Sequence, residues 1–205
     1  MPDSVVLPLC YFPPVSWLAA VLQYPDVVVE VHQPYQKQRY TSRAHIRVAN
    51  QVMALSVPVD RRSRRAPIIE KKPVYQQDWR GNHLRSIVFA YRSSPWFEYY
   101  EDHIKEFFEM EFDNLVKLDL ASTGFLMQAL GIETELKLTE AFLPADYYGT
   151  DLRADFDPGR KNWPSWFGEK SYPQVFEGFE KDLSGLDLLF NLGPEARGYL
   201  GTMVF

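Results

Sequence analysis

The chain of 205 residues carries a formal net charge of -5, and hydrophobic residues make up 46% of it. This length and composition predict one domain, residues 1–205, with an ordinary buried core. The negative charge excludes a global basic field that would attract nucleic acid. The lack of any apolar run of about 18 residues excludes a membrane helix. We therefore expect neither nucleic acid nor a membrane as a partner.

Cysteine occurs once in the sequence, as Cys10. One thiol excludes an internal disulfide and any multi-cysteine metal site, and it is typical of a reducing compartment. The first residues lack the positively charged region of a signal peptide. We therefore expect a cytoplasmic protein.

The first third of the chain is rich in predicted strands. Apolar runs at 5–9 and 27–31 predict buried strands, and helical spacing at 16–23 predicts a helix between them, so this unit is a parallel crossover. Alternating polar and apolar residues at 36–48 and 51–59 predict half-exposed antiparallel strands. The fold class is therefore predicted as α/β with a mixed sheet, with α+β as the alternative.

The middle of the chain changes to helical spacing. Prolines at both ends of 68–74 predict an edge strand there, after which Asp78 is placed to cap a helix that ends near Arg92. A second helix is predicted to start at Ser94-Pro95. A third helix is predicted over 118–130.

The last third contains a long segment without a sustained period, at about 144–173, which follows a possible short strand at 136–138. Loops of that length in compact domains are usually functional or mobile. Ser184 then predicts the start of a short helix, which Gly193-Pro194 ends.

A run of polar, nitrogen-rich side chains, 32–43, directly follows the strand predicted at 27–31. Ligands of open α/β sheets bind at the carboxyl ends of strands, so this run predicts a site for an anionic or hydroxyl-rich small molecule. His32 is a candidate general base, because a neutral imidazole accepts protons near neutral pH. Lys37 and Arg43 are candidates for holding a phosphate or carboxylate, provided that the chain bends between them; solvated strand residues are the alternative.

Cys10 also falls at a predicted strand end, so a thiolate-imidazole pair with His32 is conceivable, although a lone Cys is more often a small buried hydrophobe. The four histidines show no metal-ligand spacing, and no glycine-rich phosphate loop occurs. We therefore predict no metal and no cofactor. His83 shares a helical face with Trp79 and Tyr91, which favours a hydrogen-bonded position at the edge of the core over a functional one.

Short segments spread over nearly the whole chain resemble the WbqC-like protein family, in the same order. The segments that carry the resemblance are Tyr11-Phe12-Pro13-Pro14, Tyr35-Gln36-Lys37-Gln38 with Arg43 and Ile46, 55–59, Trp79, His83, Tyr91, Ser94-Pro95, 97–100, 172–176, 184–190, Gly193-Pro194 and Tyr199-Leu200. Two positions depart from the family pattern. Ser42 stands where Asn is expected, which weakens any role for an amide at position 42. Cys10 stands where Thr or Ala is expected, which argues against a cysteine mechanism shared by the family.

The resemblance implies a role in bacterial surface-polysaccharide synthesis, in making or modifying an activated sugar or a related metabolite. Our leading hypothesis is a group-transfer enzyme that acts on an amino- or hydroxyl-bearing sugar. In this hypothesis Tyr11, Tyr35 and His83 line the pocket, and the 144–173 segment is a lid. The competing hypothesis is a non-catalytic binding or assembly protein that docks a partner enzyme.

Overall fold

The computed structural model describes residues 4–60, 66–159 and 167–203. In chain order the strands are β1 (Ser4–Pro8), β2 (Asp26–Glu30), β3 (Arg43–Val48), β4 (Gln51–Ser56), β5 (Leu136–Leu138) and β6 (Thr150–Asp151). The α-helices are α1 (Val15–Gln23), α2 (Trp79–Tyr91), α3 (Phe97–Glu109), α4 (Leu115–Ala129), α5 (Gly185–Leu192) and α6 (Ala196–Leu200).

Four strands form a parallel sheet in the order β5-β2-β1-β6. The alternating side chains of β1 and β2 point to opposite faces. Val5 and Val27 belong to the large apolar core, whereas Val6 and Val28 pack with Tyr148 on the other face. Both faces of the central strands are therefore covered, as is expected of a parallel sheet.

Helix α1 connects β1 to β2, so the predicted parallel crossover is confirmed. Most of this helix is buried, and its Trp17 indole Nε1 donates a hydrogen bond to the Pro8 carbonyl oxygen at 2.9 Å. This bond satisfies a buried polar group and fixes the helix against the carboxyl end of β1.

The antiparallel pair β3-β4 forms a separate two-stranded sheet, in register from Arg43 opposite Ser56 to Val48 opposite Gln51. The α/β class is confirmed. The strand predicted before Arg43 was wrong, because the chain turns there: Gln38 has a φ of 65° and Tyr40–Ser42 is a 3₁₀ turn. The backbone N–H of Tyr11 bonds to the Tyr40 carbonyl oxygen at 2.8 Å, so a tertiary contact overrides the local alternation.

The edge strand predicted over 68–74 was also wrong. Ile68–Glu70 is a 3₁₀ turn, and isolated bridges at Pro67 and Pro73 replace a continuous ladder. Proline has no N–H to donate, so two prolines so close together prevent a regular strand.

The helical predictions hold, with shifts at the ends. The Asp78 carboxylate accepts a hydrogen bond from the Gly81 N–H at 3.1 Å and caps α2 as predicted. Helix α3 starts at Phe97, two residues later than predicted, and α4 starts at Leu115, three residues earlier. The earlier start follows from an unrecognised cap, because the Asn114 side chain accepts from the Lys117 N–H.

Ser184 caps α5 as predicted, and the helix ends before Gly193. Gly193 has a φ of 52°, and a Cβ there would lie 2.3 Å from the Trp96 ring, so both the backbone and the space require glycine. The long 144–173 segment is less irregular than predicted, because it contributes β6 to the parallel sheet. Residues 160–166 of that segment lie outside the described residues.

Candidate functional site

A cavity of about 360 Å³ lies at the carboxyl edge of the parallel sheet. We call it the sheet-edge cavity. The segments that follow β1, β2 and β6 line it, through Leu9, Gln33 and Arg153 among others. Its walls also include the rings of Phe142 and Phe156. The cavity thus combines apolar surface with polar groups from three strand ends.

The position of the cavity follows from the sheet topology. The chain moves outward from β1 to β2 and then β5, and returns to the opposite side of β1 with β6. The strand order therefore reverses between β1 and β6. Open α/β sheets bind their ligands outside the strand ends at such a reversal, and the residues after both strands line this cavity.

Glu30, the last residue of β2, organises the floor of this edge and is fully buried. Its Oε1 accepts hydrogen bonds from the backbone N–H groups of His32 at 2.7 Å and Gln33 at 3.1 Å. Oε1 also accepts from the Thr139 hydroxyl at 3.0 Å. The carboxylate therefore fixes the first residues of the polar run that follows β2.

The guanidinium of Arg153 balances this buried charge. Its Nη1 lies 2.8 Å from Glu30 Oε2, and its Nη2 lies 2.7 Å from Asp151 Oδ2. Nη2 also donates to the Leu143 carbonyl oxygen at 3.0 Å. An almost buried cation with this many acceptors is held in one orientation, so Arg153 links β6 to β2 across the sheet edge.

Arg39 is the second guanidinium at the cavity and is much more exposed. Its Nη1 pairs with Asp157 Oδ2 at 2.5 Å, with the two side chains 39% and 42% exposed. Its Nε donates to the Gln36 side-chain oxygen at 3.2 Å. Exposed ion pairs contribute about 0–1 kcal/mol, so Arg39 is able to exchange Asp157 for an anionic ligand.

None of the three residues predicted from the polar run, His32, Lys37 and Arg43, is among the described residues that line this cavity. His32 is half-buried, Lys37 is exposed, and Arg43 is the half-buried first residue of β3. The described residues that line the cavity instead include Gln33, from the same run. The run therefore reaches the predicted sheet edge, with other side chains pointing into the cavity.

Cys10 is fully buried, and its thiol donates to the Pro8 carbonyl oxygen at 3.5 Å. Burial raises the pKa of this thiol well above its usual value, and the nearby Asp119 carboxyl raises it further. The reactive form of cysteine is the thiolate, which this environment disfavours. This environment is typical of a cysteine that packs as a small hydrophobic residue in the core.

Tyr11 and His83 meet in the core. The Tyr11 hydroxyl and His83 Nδ1 are 3.1 Å apart, and His83 Nε2 lies 3.2 Å from the Ser56 carbonyl oxygen. Burial lowers the pKa of His83 to about 4, against a smaller opposing effect of the Ser56 hydrogen bond. The predicted face with Trp79 exists, since the Trp79 and His83 rings are 5.2 Å apart.

Tyr35 is half-buried, and its hydroxyl lies 3.0 Å from the Ser42 hydroxyl. The ammonium nitrogen of Lys71 sits 5.4 Å from the centre of the Tyr35 ring. Tyr35 thus joins the polar run to the start of β3, whereas the cavity wall is built by neighbouring residues.

Sequence reasoning missed two charged residues that build the edge, Glu30 and Arg153. Glu30 carried a signal, as the one charged residue within the apolar run 27–31. A charge that interrupts a buried strand is retained only if it is paired. Arg153 carried no comparable signal, because its position depends on a two-residue strand.

Across the part of the chain that the structure describes, none of the helices has the length and apolarity needed to cross a membrane. Within the same residues, no three histidine, cysteine, aspartate or glutamate side chains are grouped as a metal site requires.

The chain is 26% identical over 216 residues to a protein of Mycobacterium tuberculosis named "Uncharacterized protein Rv1507c", with 93% of this chain and 91% of that protein covered. No solved structure matches the chain significantly. The family model described as the WbqC-like protein family matches residues 10–155, which contain the elements from α1 to β6 and the polar run. Because this match covers well over half of the sequence, the chain belongs to the WbqC-like protein family.

Proposed function

We propose that this protein is an enzyme that binds an anionic or hydroxyl-rich, sugar-like small molecule in the sheet-edge cavity and transfers a group to or from it. The observation that carries the proposal is the position of the cavity, at the reversal of strand order between β1 and β6. On the ground of the sequence resemblance, we extend the proposal to surface-glycan or related metabolite synthesis.

The lining of the cavity suits such a ligand. The amides of Gln33 and Gln36 offer both donors and acceptors to hydroxyl groups, and Arg39 offers a cation to a phosphate or carboxylate. The rings of Phe142 and Phe156 provide apolar surface for the face of a sugar ring. A volume of about 360 Å³ lies within the range of known small-molecule sites.

His32 is the proposed base of the transfer. It lies between Glu30, which fixes its backbone N–H, and Gln33, which lines the cavity. As base it would accept the proton of the hydroxyl or amine that attacks the phosphate-activated donor, while the bond between the transferred group and the donor's phosphate breaks and the phosphate leaves with the electron pair. Lys37 and Arg43 would be further contacts for this anion. The described part of the proposed lid contributes Asp151, Arg153 and Asp157 to the wall.

Isothermal titration calorimetry with a panel of nucleotide-sugars and hexose phosphates tests the binding. We expect Arg39→Ala and Gln36→Ala to weaken binding about tenfold each, which corresponds to about 1.4 kcal/mol. Arg85→Ala is the matched control, because Arg85 is an exposed arginine of α2 that pairs with the capping residue Asp78 and does not line the cavity. Unchanged affinity in both cavity variants would refute the assignment of the site.

The role of His32 has a separate test. If His32 is the base, His32→Ala retains ligand affinity and loses turnover of a bound donor, measured by mass spectrometry of the products. Equal turnover in wild type and variant would remove His32 from the mechanism while leaving the binding site intact.

Exposed aromatic residues favour a second candidate function, docking of a partner enzyme without catalysis. Phe89 near the end of α2 is 70% exposed and Tyr99 near the start of α3 is 69% exposed. Exposed aromatic side chains are enriched at protein interfaces. Loss of partner binding in a Phe89→Ser, Tyr99→Ser variant, with partner binding retained in the cavity variants, would favour docking.

A further inference from the structure

A second cavity, of about 370 Å³, adjoins the sheet-edge cavity. We call it the His45 cavity. The β3-β4 pair contributes His45, Val52 and Ala54 to its wall, and Lys181 and Leu183 come from the segment before α5. Two further residues, Tyr40 and Asp157, line both cavities. The two cavities are therefore neighbours. We call the boundary at Asp157 and its partner Arg39 the divide.

We propose that the two cavities are the halves of one site for a two-part ligand, a sugar joined through phosphate to a second hydroxyl-rich group. Its anionic linker would lie at the Arg39–Asp157 divide, and its second part would lie against His45. This inference rests on the proposed function and names the substrate class of the same site.

The divide has the chemistry that an anionic linker requires. Asp157 faces both cavities, and its ion-pair partner Arg39 lines the first of them. A phosphate placed there competes with the Asp157 carboxylate for the guanidinium, whose planar set of N–H donors suits a phosphate as well as a carboxylate. Because the existing pair is about 40% exposed, its exchange for phosphate costs little.

His45 presents an uncharged imidazole to the second cavity. Burial lowers its pKa, and the positive charge of Arg43 lowers it further, so the ring is neutral at pH 7. Tyr40 packs edge-on against it, with ring centres 5.7 Å apart, and Asp157, Lys181 and Asp182 are the charged groups around the cavity. A neutral imidazole has one donor and one acceptor, which matches hydroxyl groups.

The hairpin holds His45 rigidly. Its backbone pairs with Ala54, and its carbonyl oxygen accepts a hydrogen bond from the Ser184 N–H at 2.8 Å. Each cavity alone is near the lower end of the size range of ligand sites, so one cavity suits one ring and both together suit a larger conjugate.

The experiment compares a one-part probe, glucose 1-phosphate, with a two-part probe, uridine diphosphate glucose, on the full chain. Ala54→Leu narrows the His45 cavity, and Ala54 is exposed, so the larger side chain does not overpack the core. Gln51→Leu is the matched control, because Gln51 is exposed on the same strand but points to the other face. His45→Gln removes the imidazole, and circular dichroism checks that each variant is folded.

We expect Ala54→Leu and His45→Gln to weaken the two-part probe about tenfold, about 1.4 kcal/mol, and to leave the one-part probe within about twofold. The His45 imidazole resonance of the wild type should shift with the two-part probe alone. Unchanged affinity for uridine diphosphate glucose in both variants would overturn the inference and leave the sheet-edge cavity as a one-part site. If the wild type binds neither probe, the proposed function is refuted, and the inference that rests on it is refuted as well.

Discussion

The Tyr11 hydroxyl donates a hydrogen bond to Nδ1 of His83, with the two atoms 3.1 Å apart in the core. The direction of this bond follows from the other side of the ring. The Ser56 carbonyl oxygen can only accept, so His83 Nε2 must donate to it across 3.2 Å. A neutral imidazole then has a lone pair only on Nδ1, and the tyrosine is the donor. The pair fixes one tautomer of His83.

Acid should therefore destabilise the fold through His83. Its pKa is about 4 in the folded protein against a usual 6.5, so the unfolded chain binds the proton first as the pH falls. Stability is retained above pH 6.5 and declines between 6.5 and 4 by about 3 kcal/mol. Urea unfolding of the wild type and of His83→Gln from pH 7 to 4 measures this. Parallel pH curves for the two proteins would contradict the prediction.

Local chemistry was sufficient for the elements whose stabilising residues are close in sequence. Asp78 and Ser184 cap helices as their positions predicted, and the apolar run 27–31 contains β2. The alternation before Arg43 failed, because the Tyr40 carbonyl oxygen bonds to Tyr11 in a segment almost thirty residues away. Pairing between distant segments outweighs a period-two pattern of polar residues.

The candidate site also combines features that depend on nearby residues with features that depend on distant parts of the chain. The polar run after β2 lies at the sheet edge, and Gln33 and Arg39 from it line the cavity, whereas His32, Lys37 and Arg43, the residues singled out from the sequence, do not. The turn at Gln38 decides which side chains point into the cavity. No local sequence pattern predicted the φ of 65° at this residue. The contribution of Arg153 depends on the pairing of β6 with β1, a two-residue contact between distant parts of the chain.

Removal of one partner from the Glu30–Arg153 pair should be costly. Glu30 is fully buried and also accepts from two backbone N–H groups, so Glu30→Gln leaves the guanidinium with less compensation. We expect a loss of about 3 kcal/mol in the free energy of unfolding, measured by urea denaturation. Arg85→Ala breaks an exposed pair and should cost much less. Equal losses in the two variants would show that burial of the pair does not matter.

Glu169 should produce a pH dependence of opposite sign. Burial raises its pKa to about 8 from 4.5, and the Asp182 carboxylate adds to the rise. The folded protein keeps the proton that the unfolded chain releases, so stability falls as the pH rises from 4.5 to 8, by roughly 5 kcal/mol at most. Thermal unfolding of Glu169→Gln across this interval should be less dependent on pH than that of the wild type. A steeper dependence in the variant would reverse the assignment.

Cys10 should be unreactive in the folded protein. Its side chain is fully buried and its thiol pKa is raised, so neither access nor the thiolate is available. Ellman's reagent should label Cys10 at least about 100-fold more slowly in buffer than in denaturing urea. Cys10→Ala should keep the ligand affinity of the wild type. Rapid labelling under native conditions, or loss of affinity in the variant, would indicate that Cys10 belongs to the functional site.

Asp157→Asn gives the most direct test of how Arg39 is used. The Asp157 carboxylate pairs with Arg39 at 2.5 Å and competes with any oxyanion that approaches the guanidinium. An amide retains the shape of the side chain without its charge, so a phosphate-bearing probe should bind the variant more tightly. We expect a gain of about two- to fivefold, because an exposed ion pair contributes up to about 1 kcal/mol. Calorimetry with glucose 1-phosphate measures this, and an uncharged sugar is the control, because its affinity should not rise. Weaker binding of the phosphate by Asp157→Asn would mean that the Asp157 carboxylate contacts the ligand directly, and that Arg39 only orients this carboxylate.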